Sequence, residues 1–439
     1  MLNVRIKRLK ISTSLLVLIF LIILGLIVRL SIAGISAGPD VYQFWGFAKT
    51  FHETTLRFYD YALTPQIYWT YPWPYPYPPL WILLLETVYL ATKASGPTVE
   101  AWIIGVKLYI ILADLICGIF IYLQLKGKGE FRGILGFLTW FFNPAVIYQS
   151  AIFGQFDSLA VLFLLASVYL LKKKRHFLGS IMAGLAISTK QHTLFPLFIV
   201  YSSFFKNVER KELFKAILGF ISSFSVINLP FFMSSPLNYL RATWLVRFNP
   251  YYHLPLCYSF EGIFTVLTYL HESLGLDTIN IFGLSFRLID VYRLSLPLLA
   301  IMTAIIGFIA FKKGYSLEKS ALIGSLAFLT MAYAVNYQYL VLYIPFIIII
   351  GLSRKNPIKK LFSVLIALFP AFWLWIFDVS FWFRSFEPKS KGVIEILKLM
   401  GLTNFLRADW IYVLFNIALF LMEVLTLLLL LLTDFWDSD

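Results

Sequence analysis

"ISTSLLVLIFLIILGLIVRL", residues 11–30, runs straight into "SIAGISAGPDVYQFWGFAKTF", residues 31–51. The first stretch is about twenty residues of nearly unbroken apolar side chain, the length one helix needs to cross a bilayer. Beyond it a Gly-Pro break delivers a single carboxylate, Asp40, followed by Tyr42, Trp45 and His52. The rest of the chain repeats the theme. Of 439 residues, 60% are hydrophobic and only 14% charged, and the mean hydropathy is +0.80. A soluble core has no use for so much apolar surface. The runs do not alternate, which excludes a membrane barrel. The expected class is all-α: a polytopic helical membrane protein forming one integral membrane domain over 1–439. The first run has no small-residue cleavage site, so it is expected to stay as an anchor.

The net charge of +14 looks at first like a nucleic-acid footprint. Its distribution says otherwise. More than half of the 37 basic residues sit in "RIKRLK" (5–10), "KGKGEFR" (126–132), "KKKR" (172–175), "KNVERKELFK" (206–215), "KKGYSLEK" (312–319) and "RKNPIKK" (354–360). Short basic loops between apolar runs mark the cytoplasmic side, and no nucleic-acid partner is expected. There is no GxGxxG and no GxxxxGK[ST], and "HESLG" (271–275) lacks the second His of a zinc helix. Cys117 and Cys257 have neither pairing nor metal spacing.

All six clusters fall on one side only if an even number of spans separates neighbours. That yields about twelve spans with both termini cytoplasmic: 11–30, 101–125, 132–150, 157–171, 177–190, 192–205, 216–233, 291–311, 320–335, 339–353, 361–377 and 410–432. The stretch 79–93, "PLWILLLETVYLATK", is then one span too many. It is short, carries Glu86 and follows a proline cluster, so it is expected as a re-entrant or interfacial helix. Three long segments, 31–100, 234–290 and 378–409, fall outside, with 261–289 partly helical. Long structured loops on one face carry function.

Six constellations lie on that face. Asp40 either complements the N-terminal dipole of a helix starting at Pro39 or serves as a general base. "YWTYPWPYPYPPLW" (68–81), with Tyr77, is a stiff polyproline-like stretch: an interfacial belt, or a wall for a lipid chain or sugar face. In "NPAVIYQSAIFGQFDSLAV" (143–161), Gln155 and Asp157 line a site, or Asp157 caps a helix. In "STKQHTLFP" (188–196), Lys190, Gln191 and His192 are costly at a helix boundary. Lys190 snorkels, or Lys190 and His192 hold an anion. Arg241 and Arg247 lie in "RATWLVRFNPYYHLPLCYSFEGIF" (241–264), with His253 and Glu261. They face lipid headgroups or grip a phosphate. Asn336 and Gln338 in "VNYQYLVLYIP" (335–345) suit sugar hydroxyls, or cap a helix. Within the bilayer, Lys107 and Asp114 lie two turns apart on one helix, and Asp114 is expected to bond a neighbouring helix.

The outer face of a membrane has no nucleotide sugars, so a synthetic enzyme there needs a lipid-phosphate-linked donor. Basic groups would stabilise the leaving phosphate, and one carboxylate would serve as base, with inversion at the anomeric carbon. A polyprenyl-lipid flippase or transporter is the alternative. It would show repeats and broken helices at the midplane, and the chain has no repeat of fixed period.

The ordered set Asp40, "YPYPPL", "LADL" (112–115), "FNPAVIYQSAIFGQFDS", "STKQ" and "VNYQYLVLYIPF" resembles the GT-C superfamily of membrane glycosyltransferases. "YPPL", the block from Asn143-Pro144 to "GQFDS", and "KQ" are similar to the dolichyl-phosphate-glucose glucosyltransferases of N-glycan assembly. "NYQYLVLYIPF" is similar to the GPI mannosyltransferase I catalytic subunit. The resemblance extends to about residue 350. It implies a structured first outer loop with non-spanning helices, a polyprenyl (dolichyl)-phosphate hexose donor, and a glycan or lipid-linked acceptor. It also implies Asp40 at the catalytic centre, with Gln155, Asp157, Lys190 and His192 bordering the donor, and it allows a small membrane subunit. Some relatives pair two acids in the first loop. Here no second acid follows Asp40 until Glu53, so no metal or other cofactor is expected. Few cysteines and no glycosylation sequon favour a prokaryotic plasma membrane over endoplasmic reticulum.

Overall fold

A computed structural model of the chain describes residues 13–377 and 409–436, apart from 63–73, 97, 246–262, 273, 282, 333–334, 336 and 434. The basic cluster 5–10, Arg247, His253, Glu261, Asn336 and almost all of the segment 378–409 lie outside the described residues.

The chain opens with α1 (Thr13–Ala33), α2 (Pro39–Thr54), a 3-10 turn (Thr55–Arg57), α3 (Tyr59–Ala62), α4 (Pro79–Ser95) and α5 (Val99–Lys126). Next come α6 (Glu130–Phe141), α7 (Pro144–Ile147) with a π turn (Tyr148–Phe153), α8 (Asp157–Lys172), α9 (His176–Thr189), a 3-10 turn (Gln191–Thr193) and α10 (Leu194–Asn207). Then follow α11 (Arg210–Ser234), α12 (Pro236–Thr243), α13 (Ile263–Glu272), the strands β1 (Thr278–Ile281) and β2 (Leu284–Arg287), and α14 (Leu288–Lys313). The chain closes with α15 (Leu317–Met331), a 3-10 turn (Tyr337–Leu342), α16 (Ile344–Leu352), α17 (Pro357–Phe377) and α18 (Asp409–Leu432).

The protein is an all-α polytopic membrane protein. Every expected span holds a helix, and the helices over Thr13–Ala33, Val99–Lys126, Arg210–Ser234, Leu294–Lys313 and Val413–Leu432 are long and apolar enough to cross a bilayer. The hairpin β1–β2 pairs Thr278 with Arg287 and Ile281 with Leu284. The run 132–150 is interrupted. Pro144 starts α7 after Asn143, whose Oδ1 accepts from the Ala145 N–H at 3.0 Å. The Asn143 amide donates to the Ala367 carbonyl of α17 at 2.8 Å, so the break is itself a helix–helix joint.

Helices α15 and α16 are buried along almost their whole length, and α8 nearly so. They form the centre, with α5 alongside. Helices α1 and α14 turn large apolar side chains outward, among them Phe20, Ile27, Ile301 and Phe308, as a lipid-facing surface does. The buried stripe of α1 is Leu18, Gly25, Arg29 and Ala33. Arg29 Nε donates to Asp114 Oδ2 of α5 at 3.3 Å, with both side chains fully buried. The guanidinium lies 3.9 Å over the Phe141 ring. Asp114 thus bonds a neighbouring helix as its position suggests, and the partner is Arg29.

The described basic clusters gather at one end of the bundle. Lys172 pairs with Glu318. His176 meets Glu212 at 2.8 Å, Lys206 donates to the Lys312 carbonyl at 2.6 Å, and Arg132 donates to the Ser353 carbonyl at 3.1 Å. Helices α5 and α8 run in the same direction, from the end where Asp40, Gln155 and Lys190 lie to the basic end, where Lys126 and Lys172 close them. Helix α4 packs beside the first turns of α5, with Thr87 Oγ1 2.6 Å from the Tyr109 hydroxyl.

Arg29→Leu alone, which strands a buried carboxylate, is expected to cost about 3–5 kcal/mol of stability. Arg29→Leu combined with Asp114→Leu is expected to recover most of it. Thermal unfolding of purified protein in one detergent checks both.

Candidate active site at the helix tips

Pro39 occupies the first turn of α2, where its missing N–H is no loss, and Asp40 sits at the positive end of the helix. The approach to that turn is tight. The Gly38 N–H donates to the Phe153 carbonyl at 2.8 Å. Gly154 ends the π turn with φ +82°, and a Cβ there would lie 2.5 Å from Val41 Cγ2. Only glycine both adopts that left-handed backbone and lets α2 come so close. Lys107 of α5 fixes the same corner from below. Its ammonium donates to the carbonyls of Ala33 (3.1 Å), Ala151 (2.7 Å) and Ile152 (2.9 Å), and to that of Ser36.

Asp40 and Phe44 are one turn apart, so they share a face of α2. Phe44 packs edge-on to Phe156 at 5.9 Å and to Trp81 of α4 at 5.6 Å, and Trp81 stacks on Phe156 at 4.3 Å. That packing turns Asp40 toward the 155–157 turn, where the Gln155 amide donates to Asp40 Oδ2.

Asp157 opens α8 without capping it. Its Oδ2 accepts from Lys190 Nζ at 2.7 Å, and both side chains are buried. Lys190 does not snorkel. It stands in extended conformation between α9 and the turn Gln191–Thr193. Its ammonium lies 4.4 Å from the Phe156 ring centre and 5.2 Å from those of Tyr77 and Tyr339. Aromatic faces and one carboxylate replace water around the charge. Gln191 is a brace: its amide donates to the Pro76 carbonyl at 2.6 Å and the Thr243 carbonyl at 2.7 Å. The Tyr59 hydroxyl donates to the Tyr77 carbonyl at 2.8 Å, and the Tyr75 hydroxyl to that of Pro78 at 3.3 Å. Burial pushes both phenols well above their ordinary range, so they remain donors. Tyr77 is thereby held as one wall.

His192 is buried between Phe328 (5.4 Å) and Tyr339 (4.7 Å), with Nε2 4.0 Å from Asp157 Oδ1. Gln338 is buried in the 3-10 turn that packs on α8. Among the described residues, Gln155 Oε1, Asp157 Oδ1, His192 Nε2 and Gln338 Oε1 have no hydrogen-bond partner. Buried polar atoms are nearly always satisfied by protein or by ordered water, so these four, gathered at one place, have hydrogen-bonding capacity to offer a ligand or water.

The structure therefore brings Asp40, Gln155, Asp157, Lys190, His192 and Tyr77 together, with Gln191 and Gln338 adjoining. Arg241 is exposed on α12, two residues before the Thr243 carbonyl that Gln191 holds. Arg247 and Asn336 are outside the described residues. Sequence reasoning did not single out Phe156, Trp81 or Tyr339. Phe156 stood inside the quoted "GQFDS", where an aromatic between two polar site residues was the available signal.

The chain is thus a bundle of membrane helices with a buried acid–base cluster at one end. Residues 72–253 match the family model described as ALG3 protein, a stretch that contains Tyr77, Gln155, Asp157, Lys190, Gln191, His192, Arg241 and Arg247. The match supports a glycosyltransferase of the GT-C type. No curated protein matches the chain.

Lys190→Met is expected to lower the unfolding temperature sharply, because it leaves the buried Asp157 carboxyl without its partner. Adding Asp157→Asn is expected to restore much of the loss, read by thermal unfolding with and without the second change.

Proposed function

We propose that this protein transfers a mannosyl unit from a polyprenyl-phosphate-linked donor to a hydroxyl of a lipid-linked glycan. The observation that carries the reading is Asp40, oriented by Gln155 at the mouth of the bundle beside the buried Asp157–Lys190 pair. The matching family comprises dolichyl-phosphate-mannose-dependent mannosyltransferases acting on dolichol-linked oligosaccharide. This favours mannose over glucose among the hexoses that the sequence resemblance allowed.

In the proposed step the acceptor hydroxyl gives its proton to the Asp40 carboxylate. The acceptor oxygen forms a bond to the anomeric carbon from the face opposite the phosphate. The bond from that carbon to the phosphate oxygen breaks, and the electron pair leaves with the polyprenyl phosphate, inverting the centre. Leaving phosphate gains negative charge. Lys190 is already committed to Asp157, so it tempers the local field, and the cationic contacts to the phosphate are assigned to Arg241, exposed on α12, and to Arg247, six residues further along the chain. The apolar donor tail lies against outward-facing helix surface, and the site faces away from the cytoplasm, opposite the basic clusters. Segments 31–100 and 234–290 are read as outer segments that frame it, with α4 in the first as a non-spanning helix. No metal ion is needed in this reading, since no second acid follows Asp40 in the chain until Glu53.

Asp40→Asn keeps size and the contact to Gln155 but removes the base. It is expected to lower mannosyl transfer by ~10²–10⁴-fold with the unfolding temperature kept, measured with radiolabelled polyprenyl-phosphate hexoses. Transfer by the unaltered protein is expected to persist in EDTA. A wild-type rate for the Asn variant sinks the role of Asp40.

A further inference from the structure

We infer that Asp157 and His192 together hold one hydroxyl group of the donor sugar and so set which hexose the enzyme accepts; this rests on the mannosyltransfer reading above. Asp157 Oδ1 and His192 Nε2 face each other at 4.0 Å, too far for a direct hydrogen bond. Both are buried and neither has another partner among the described residues. A single oxygen placed between them reaches each at ordinary hydrogen-bond length. The other oxygen of Asp157 is occupied by Lys190, so only Oδ1 is offered.

The chemistry of the pair selects the kind of oxygen. A carboxylate accepts and repels another anion, so a phosphate oxygen is excluded from this gap. A hydroxyl fits both sides: it donates to Asp157 Oδ1 and accepts from His192 Nε2–H. His192 is thereby moved from the phosphate role that its neighbour Lys190 suggested to a sugar-reading role. The frame around the gap is rigid. The imidazole is stacked on Phe328 and tilted against Tyr339, and the carboxylate is anchored through Lys190, itself enclosed by Phe156, Tyr77 and Tyr339. Sites of this kind discriminate strongly, because a ligand lacking the hydroxyl leaves two buried polar atoms unsatisfied.

The test crosses variants with donors. Full-length protein in lipid nanodiscs is assayed with polyprenyl-phosphate mannose and with its 2-, 3-, 4- and 6-deoxy analogues. His192→Phe keeps the stacking and removes the nitrogen, and His192→Asn keeps a donor. The expected result is a ~10–100-fold lower kcat/KM for the parent donor with His192→Phe. One deoxy analogue should show no further loss on the same substitution, and His192→Asn should regain part of the parent rate. A His192→Phe penalty equal across all five donors, or an Asn variant no better than Phe, overturns the hydroxyl bridge. If the Phe variant does not fold, the Asn variant alone is read across the panel, where a uniform effect overturns the bridge and a loss absent for one analogue supports it. Wild-type protein that transfers from no polyprenyl-phosphate hexose overturns the mannosyltransfer reading itself, a separate result.

Discussion

The buried ammonium of Lys107 is the contact on which the working end of this protein depends. It collects carbonyls from Ala33 and Ser36 at the end of α1, and from Ala151 and Ile152 in the π turn. Carbonyls at a helix C-terminus have no partner within the helix and carry partial negative charge. Two such ends, from distant parts of the chain, converge on one cation. The chain can then turn sharply at Gly38 and begin α2 beside Gly154. Asp40 and Gln155 meet because Lys107 has already joined the segments that carry them. Salt at the surface does not reach this junction, and no other described charge competes for it.

Around that corner the site is built from aromatic rings and few charges. Lys190 and Asp157 neutralise each other in a space lined by Phe156, Tyr77 and Tyr339. Low polarity magnifies every remaining electrostatic difference. In the proposed transfer it would also keep out water, which competes with the acceptor. Gln191, by contrast, is spent on two carbonyls, which ties the proline-aromatic stretch to the end of α12.

Much of this was legible in the sequence, and unevenly. Unbroken apolar runs and the basic clusters between them locate the helices, because the bilayer imposes length and side on both. Asn143-Pro144 announces its own break, and Pro39-Asp40 its helix start. The acid and amide cluster was visible as polar residues where insertion makes them costly. What the sequence could not show is pairing across the fold. Nothing local ties Arg29 to Asp114, eighty-five positions away, or Gln155 to Asp40. Lys190 read as an anion ligand because its own partner, Asp157, is 33 residues distant. The hairpin at 278–287 lay inside a stretch expected to be partly helical. Its alternation, "TINI" and "LSFR" about Gly283, was the strand signal, short enough to be lost among helices.

The Arg29–Asp114 pair has a consequence for how the protein is made. A guanidinium, carboxylate or ammonium in an apolar helix raises the cost of insertion, by about 2.5–3.5 kcal/mol at the helix centre and by less one turn from the end, where Arg29 stands. Helix α1 carries Arg29, and α5 carries both Lys107 and Asp114. Neither segment is at ease in lipid until it meets the other. An α1 released into the bilayer before α5 emerges holds an unmatched charge. The membrane-insertion machinery therefore has reason to retain α1 while residues 34–98 emerge, making the first and fifth helices partners in biogenesis before they are partners in the fold.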